Sequence, residues 1–233
     1  WWKGFVWENL SLVNFKYSFT MSTTRKALIN TIIFASAVGV FLAIAGTMLA
    51  TIISGRRSWL KELLRGIVTI PLDMPALVVG LLTMLAWFGK PFQLGGTIWI
   101  LLFGYILIMV PYALRTCNAA LTQIDGTLPE AGRVTGCNNV QNWRYILFPL
   151  MGNGVVATFI IVFLFIVKEF PLTVLTYSVN TQTAMVQLYF LYDEGSFEKS
   201  GALAILVLIL TFLTLALAKR LTKVSLRQLT GGS

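Results

Sequence analysis

Histidine is absent from this chain, cysteine occurs twice, and acidic residues number nine in 233. Without imidazole the commonest metal ligand and the side chain best placed to shuttle protons near neutrality are both missing. Cys117 and Cys137 fall in one stretch, 115–149, so neither a disulfide framework nor a CxxC site is supported. No GxxxxGK[ST] sequence occurs: Gly89-Lys90 is followed by Pro91 and lacks the upstream glycine. The chain is therefore expected to bind no cofactor and to hydrolyse no ATP itself. Charge is scarce too, at 12%, against 57% hydrophobic residues. With a mean hydropathy of +0.79, too few polar side chains remain to coat a water-soluble globule of this size. The bilayer is the solvent to assume.

Roughly 20 apolar residues of helix cross a hydrocarbon core about 30 Å thick. Five runs qualify: 28–53, 67–88, 97–114, 150–167 and 201–218. Lipid offers no partner to an open backbone, so these are expected to be helices, and the fold an all-α integral membrane protein. Three regions complete the division: an external or interfacial segment 1–27, a transmembrane domain 28–220 containing the loop 115–149, and a tail 221–233. Eleven of the eighteen Lys and Arg, among them Arg56, Arg57, Arg65, Arg144 and Lys219, fall on one side of this arrangement. That side is cytoplasmic by the positive-inside tendency, which puts the N-terminus outside and the C-terminus inside. Topology thus explains most of the formal +9, and no nucleic-acid partner is needed to account for it. Trp1, Trp2 and Trp7 suit a segment at the membrane interface. A start at Trp1 also fits the later part of a longer chain.

Within the spans, Ala35, Gly39 and Ala43 recur every four residues, with Gly46 and Ala50 beside them, so the first helix can approach a neighbour's backbone closely. The second span is interrupted by Pro71, Asp73 and Pro75, where prolines remove donors and an acid is costly unless it faces protein or water. Asp73 is a candidate pathway residue. Its other reading places it near the cytoplasmic interface, capping the broken helix or pairing with Arg65.

Between the third and fourth spans lies a polar island. Residues 127–137 can form a short helix: Pro129 suits a first turn, Glu130 complements the positive helix end, and Gly136 suits the exit. Asn138 and Asn139 turn the chain, and Trp143, Arg144 and Tyr145 lead back to the membrane at Pro149. A short helix held at both ends by membrane spans is a rigid lever.

The pattern Glu130-Ala131-Gly132-x3-Gly136-x9-Ile146-x-Phe148-Pro149 resembles the EAA loop of permease subunits in binding-protein-dependent ABC importers, written EAA-x3-G-x9-I-x-L-P. Gly132 replaces the second alanine and Phe148 the leucine. Gly132 is expected to loosen the helix by roughly 0.5–1 kcal/mol relative to alanine. The resemblance implies a type I importer fold in the bacterial inner membrane, with Glu130, Ala131, Gly132, Gly136, Ile146 and Pro149 forming a coupling element against an ATPase. It further implies two ATPase subunits that use the ATP, an external solute-binding protein, and a second permease domain: an identical copy, a sister subunit or a fused half.

After the fourth span, Lys168-Glu169-Phe170-Pro171-Leu172-Thr173 resembles the K-E-L-P-A-T segment of ferric-iron and phosphonate-type permeases. Ferric iron is the cargo this resemblance favours, with phosphonate, polyamine, thiamine or another small solute as alternatives. Lys168 and Glu169 either line a gate or form a neutral structural pair. Tyr177, Tyr189, Tyr192, Asp193, Glu194 and Glu198 offer oxygens of the type hard cations take, and equally suit an interfacial belt and a solvated loop. Two other classes compete. A secondary transporter or channel favours intramembrane charges, and the spans contain only Asp73. An intramembrane enzyme needs a nucleophile, acid pair or metal cluster in the bilayer, and without histidine the usual constellations are missing.

Overall fold

A computed structural model describes residues 11–54 and 58–222. Among these residues the chain is helical, with no strands. The Trp-rich start, Arg56, Arg57 and nearly all of the expected tail lie outside the described residues.

Helix α1, Val13–Thr20, leads into α2, Ser22–Ile53, a 32-residue helix that begins six residues before the expected span. Helix α5, Ile98–Leu121, extends its span by seven residues past 114. Helix α8, Gly152–Val167, follows expectation, and α10, Phe197–Thr222, outruns it at both ends. Between them lie α3, Trp59–Thr69, and α4, Ala76–Trp87. Next come α6, Thr127–Val134, α7, Asn139–Leu150, and α9, Ala184–Asp193.

The small residues of α2 carry the packing. A Cβ on Gly39 would come 2.9 Å from the Phe159 ring on α8, and one on Gly46 would come 3.2 Å from Ala113 Cβ on α5. Ala35, Ala43 and Ala50 are buried beside them. In lipid, helices associate by such close contact because apolar surface gains nothing from leaving an equally apolar solvent. Helices α2, α5 and α8 therefore form the centre, around Val38, Leu42, Leu101, Ile108, Val162 and Ile166. Cys117 belongs to this bundle rather than to a loop: it is buried on α5, its Sγ 3.3 Å from Thr158 Oγ1.

The second run, 67–88, is broken where Pro71, Asp73 and Pro75 interrupt it. Proline disfavours a helical predecessor, and Met74 before Pro75 is extended at φ −100°, ψ 138°. The segment Trp59–Asp73 meets α4 at 116°. With twelve residues α4 rises only about 18 Å, short of a hydrocarbon core. Helix α3, turned sharply from α4, sets Leu64 and Val68 against Ile53 and Leu114, while Trp59, Leu60, Leu63 and Ile67 continue the same apolar face exposed, opposite Lys61, Glu62 and Arg65. Such a helix suits the plane of the membrane interface.

The opposite end of the bundle is stitched by hydrogen bonds. Thr31 Oγ1 accepts from Ala184 N at 2.8 Å, and Asn30 Nδ2 donates to Asn180 O and Gln182 O at 2.9 and 3.0 Å. These fasten the connection before α9 onto the start of α2. At the other end, α7 meets α8 at a bend of 78°, bringing the chain from the polar island back into the bundle.

Candidate functional site

Two places bring the sequence-selected residues together, and the first is the polar island. Its entrance is capped by Asp125, whose carboxylate accepts from Thr127 N at 3.0 Å. The hydrogen bonds from Thr127 hold that carboxyl below its ordinary value. The exit is a glycine turn: Gly136 sits at φ +90°, and Cys137 N donates to Gly132 O at 3.0 Å, the six-to-one bond of a Schellman ending. The helix thus stops at Val134, three residues before the expected limit, with Gly136 as the left-handed residue beyond it.

Helix α7 opens with a reciprocal capping box. Asn138 Oδ1 accepts from Gln141 N at 2.8 Å, and Gln141 Oε1 accepts from Asn138 N at 2.9 Å. Its Trp143–Leu147 stretch widens into a π-helical turn. Asn142, 2% exposed, donates from Nδ2 to Pro129 O on α6 at 2.9 Å. Gly132 has a definite reason. A Cβ there would stand 2.5 Å from Ile146 Cδ1 and 3.2 Å from Asn142 Oδ1. The glycine that departs from the EAA pattern is where α7 presses against α6, so its small size serves packing as well as weakening the helix.

The inner face of α6 is thereby occupied and the outer face left open. Leu128 and Val134 are 45% and 88% exposed, and Ala131 and Glu130 are exposed with them. Val140 and Tyr145 extend this surface along α7 at 67% and 66% exposure. Ile146 is half-buried, while Pro149 is exposed near the bend into α8.

The second place is the end of α8. Taking Thr158 as level with Cys117, Val167 stands near Ile108, about 15 Å along α5 from its start. Helix α4, at about 18 Å, and α8, at about 24 Å, are both shorter than α5, and their ends meet partway down it. A cavity of about 590 Å³ opens there, lined by Met74, Ala76, Ile108, Tyr112, Lys168 and Glu169 among others. Lys168 and Glu169 do not pair. Glu169 turns inward, 7% exposed, and caps the turn Thr173–Thr176. Oε1 accepts from Leu172 N at 2.8 Å and Oε2 from Thr173 N at 3.0 Å, and the Thr173 hydroxyl donates to Oε2 as well. The neutral-pair reading is replaced by this capping role.

Sequence reasoning missed Tyr105, wholly buried on α5, with its hydroxyl 2.7 Å from Thr173 Oγ1. The available signal was a tyrosine inside an apolar run, because a buried phenol needs a partner. Leu172, which stands where the resembled segment has alanine, wedges between two glycines. A Cβ on Gly80 would be 3.0 Å from Leu172 Cα, and one on Gly104 would be 2.9 Å from Leu172 Cδ2.

Asp73 is exposed, α4 begins without a side-chain cap, and Arg65 pairs instead with Glu62 at 3.7 Å. The proposed capping and pairing of Asp73 are thus not found. Asp193, Glu194 and Glu198 are exposed, and among the described residues they join no group able to hold a metal ion. Tyr189 and Tyr192 instead pack on Phe170 and Phe197.

Residues 43–225 match the family described as binding-protein-dependent transport system inner membrane component. The chain belongs to that family. This permease is 23% identical over 154 residues to the 2-aminoethylphosphonate transport system permease protein PhnV of Salmonella typhi, covering 66% of the chain and 59% of the relative. It is 27% identical over 181 residues to the molybdenum transport system permease protein ModB of Haemophilus influenzae, covering 70% and 78%. With the ferric transport system permease protein FbpB of Actinobacillus pleuropneumoniae it shares 23% over 171 residues, 73% of the chain and 25% of the relative. The permease thus spans less than two thirds of the phosphonate relative and a quarter of the ferric one. In fold it is similar to a chain of a bacterial alginate ABC transporter, with TM-score 0.75, 18% identity and coverage of 94% and 86%. A chain of the MetNI methionine transporter gives TM-score 0.70 at 17% identity, covering 86% and 95%.

Proposed function

We propose that this permease forms one half of the membrane pathway of an ATP-driven importer and that α6 is the element through which a separate ATPase drives it. The carrying observation is the asymmetry of α6. One side is locked to α7 through Gly132, Asn142 and Ile146, and the other presents Leu128, Ala131 and Val134 to the outside. An apolar face on a polar loop, fixed at both ends by membrane helices, is what a docking partner needs in order to push. In this reading the α6 end faces the cytoplasm, Glu130 and Ala131 touch the ATPase, and Gly136 makes the turn that presents them. A second permease domain completes the pathway around the cavity at the end of α8, with Lys168, Glu169 and Asp73 as its candidate polar residues. An external binding protein delivers solute at the α1 and α9 end.

Three relatives carry three cargo names: aminoethylphosphonate, molybdenum and ferric iron. Ferric iron, the cargo favoured by the Lys168–Thr173 resemblance, stands as one of these. All three are small solutes, and a solute of that size is the cargo proposed.

The test is Val134→Asp in the complete importer. Val134 touches little of its own chain, so the variant is expected to insert normally yet to lose co-purification with the ATPase and uptake together. Uptake and ATPase association equal to wild type would remove α6 from the coupling role.

A further inference from the structure

We infer that the cavity bounded by α4, α5 and the end of α8 passes an oxyanion, with Lys168 as the cationic side chain that meets it. This rests on the permease reading above and adds the charge class of the cargo.

Three ionisable or polar side chains line the cavity: Tyr112, Lys168 and Glu169. They are not equally available. Both carboxylate oxygens of Glu169 are taken by donors of the Thr173–Thr176 turn, and the side chain is buried. Lys168 immediately before it is exposed and, among the described residues, makes no ion pair. The rest of the wall is mainly apolar, including Ile108, Met109, Leu164 and Phe165. Against such a wall a charge is less screened than in bulk water, so the sign of the free group matters most. Ala76, the first residue of α4, lies on the same wall, and no side chain caps that helix. Its N–H groups add a weaker field of the same sign. A bare cation entering this space meets an exposed ammonium, unpaired among the described residues, whereas the one carboxylate of the lining is drawn inward onto the Thr173–Thr176 turn, whose donors offset part of its charge. Asp73 is exposed between Leu72 and Met74, both of which line the cavity, and is not itself part of the lining.

The test uses the complete importer in proteoliposomes, with both permease domains, the ATPase and a binding protein loaded with 2-aminoethylphosphonate, molybdate or ferric iron. ATP hydrolysis is read first, and uptake second. Wild type is expected to take up one of the two oxyanions. Lys168→Glu is expected to lower that uptake by at least about ten-fold, and Lys168→Arg to stay within about three-fold of wild type. Uptake of ferric iron without either oxyanion overturns the inference, as does wild-type oxyanion uptake by Lys168→Glu. Equal losses in the Glu and Arg variants also overturn it, since charge is then not what Lys168 supplies. Failure of both oxyanion-loaded binding proteins to stimulate hydrolysis in wild type also overturns the inference, whereas failure of the ATPase to associate with the permease at all is failure of the importer reading itself.

Discussion

Asn142→Ala tests how α6 is held. Asn142 Nδ2 donates to Pro129 O at 2.9 Å, a side-chain bond between α6 and α7, whereas Oδ1 is buried without a partner. The substitution therefore deletes one hydrogen bond and orphans no donor on the other side. A bond of this kind is worth about 1 kcal/mol net, and the space left by a buried amide adds a cost of similar size. A loss of about 1–2 kcal/mol raises the population of undocked α6 roughly 5- to 30-fold. Amide hydrogen exchange on the reconstituted complex reads this directly. Residues 127–135 are expected to lose protection by about that factor, with α2 and α5 unchanged. In the same samples, more ATP is expected to be spent per solute imported, because a lever that swings on its hinge transmits less. Unchanged protection in an inserted variant would refute the argument that Asn142 fastens α6.

Three further outcomes follow from individual residues. Gly136→Val places a β-branched residue at φ +90°; at about 1–2 kcal/mol or more of strain, protease cleavage near 135–138 is expected to rise and uptake to fall. Glu169→Gln keeps the size but gives the side chain one fewer acceptor for the three donors of the Thr173 turn, so the solubilised protein is expected to melt at lower temperature by an amount equivalent to about 1–3 kcal/mol; an unchanged Tm would refute the capping role. The folded value of Asp125 is depressed by Thr127, so its contribution is present above the unfolded carboxylate value and is lost as pH falls through the folded one. Amide protection over residues 127–135, corrected for the pH dependence of intrinsic exchange, is expected to fall over that acidic window, and to be insensitive to it in Asp125→Asn.

Much of this architecture could be read from the chain because lipid enforces simple rules. Runs without charge had to be helices, and the four-residue spacing of Ala35, Gly39 and Ala43 announced a close approach that Phe159 supplies. The spacing from Glu130 to Pro149 located the island, since that distance holds one short helix, one glycine turn and a return. What was not legible depends on tertiary partners. Pro71 and Pro75 signal a break, yet only packing of Leu64 and Val68 against Ile53 and Leu114 places α3. Adjacent Lys168 and Glu169 look like a pair. The backbone N–H groups of Leu172 and Thr173 outcompete the ammonium because the turn brings them to the carboxylate, and no local pattern records that turn. Gly132 reads as a weak point in α6 until Ile146, fourteen residues later, proves to occupy the space a methyl group would need.

The central claim, that α6 meets the ATPase, is tested most directly by a photo-cross-linking residue at Val134 in the assembled importer. The account predicts a cross-link to the ATPase subunit whose yield changes when ATP is bound, while the same residue at exposed Val179, near the opposite end, gives none to that subunit. A transport-competent complex in which Val134 never cross-links to the ATPase, with or without ATP, would contradict it.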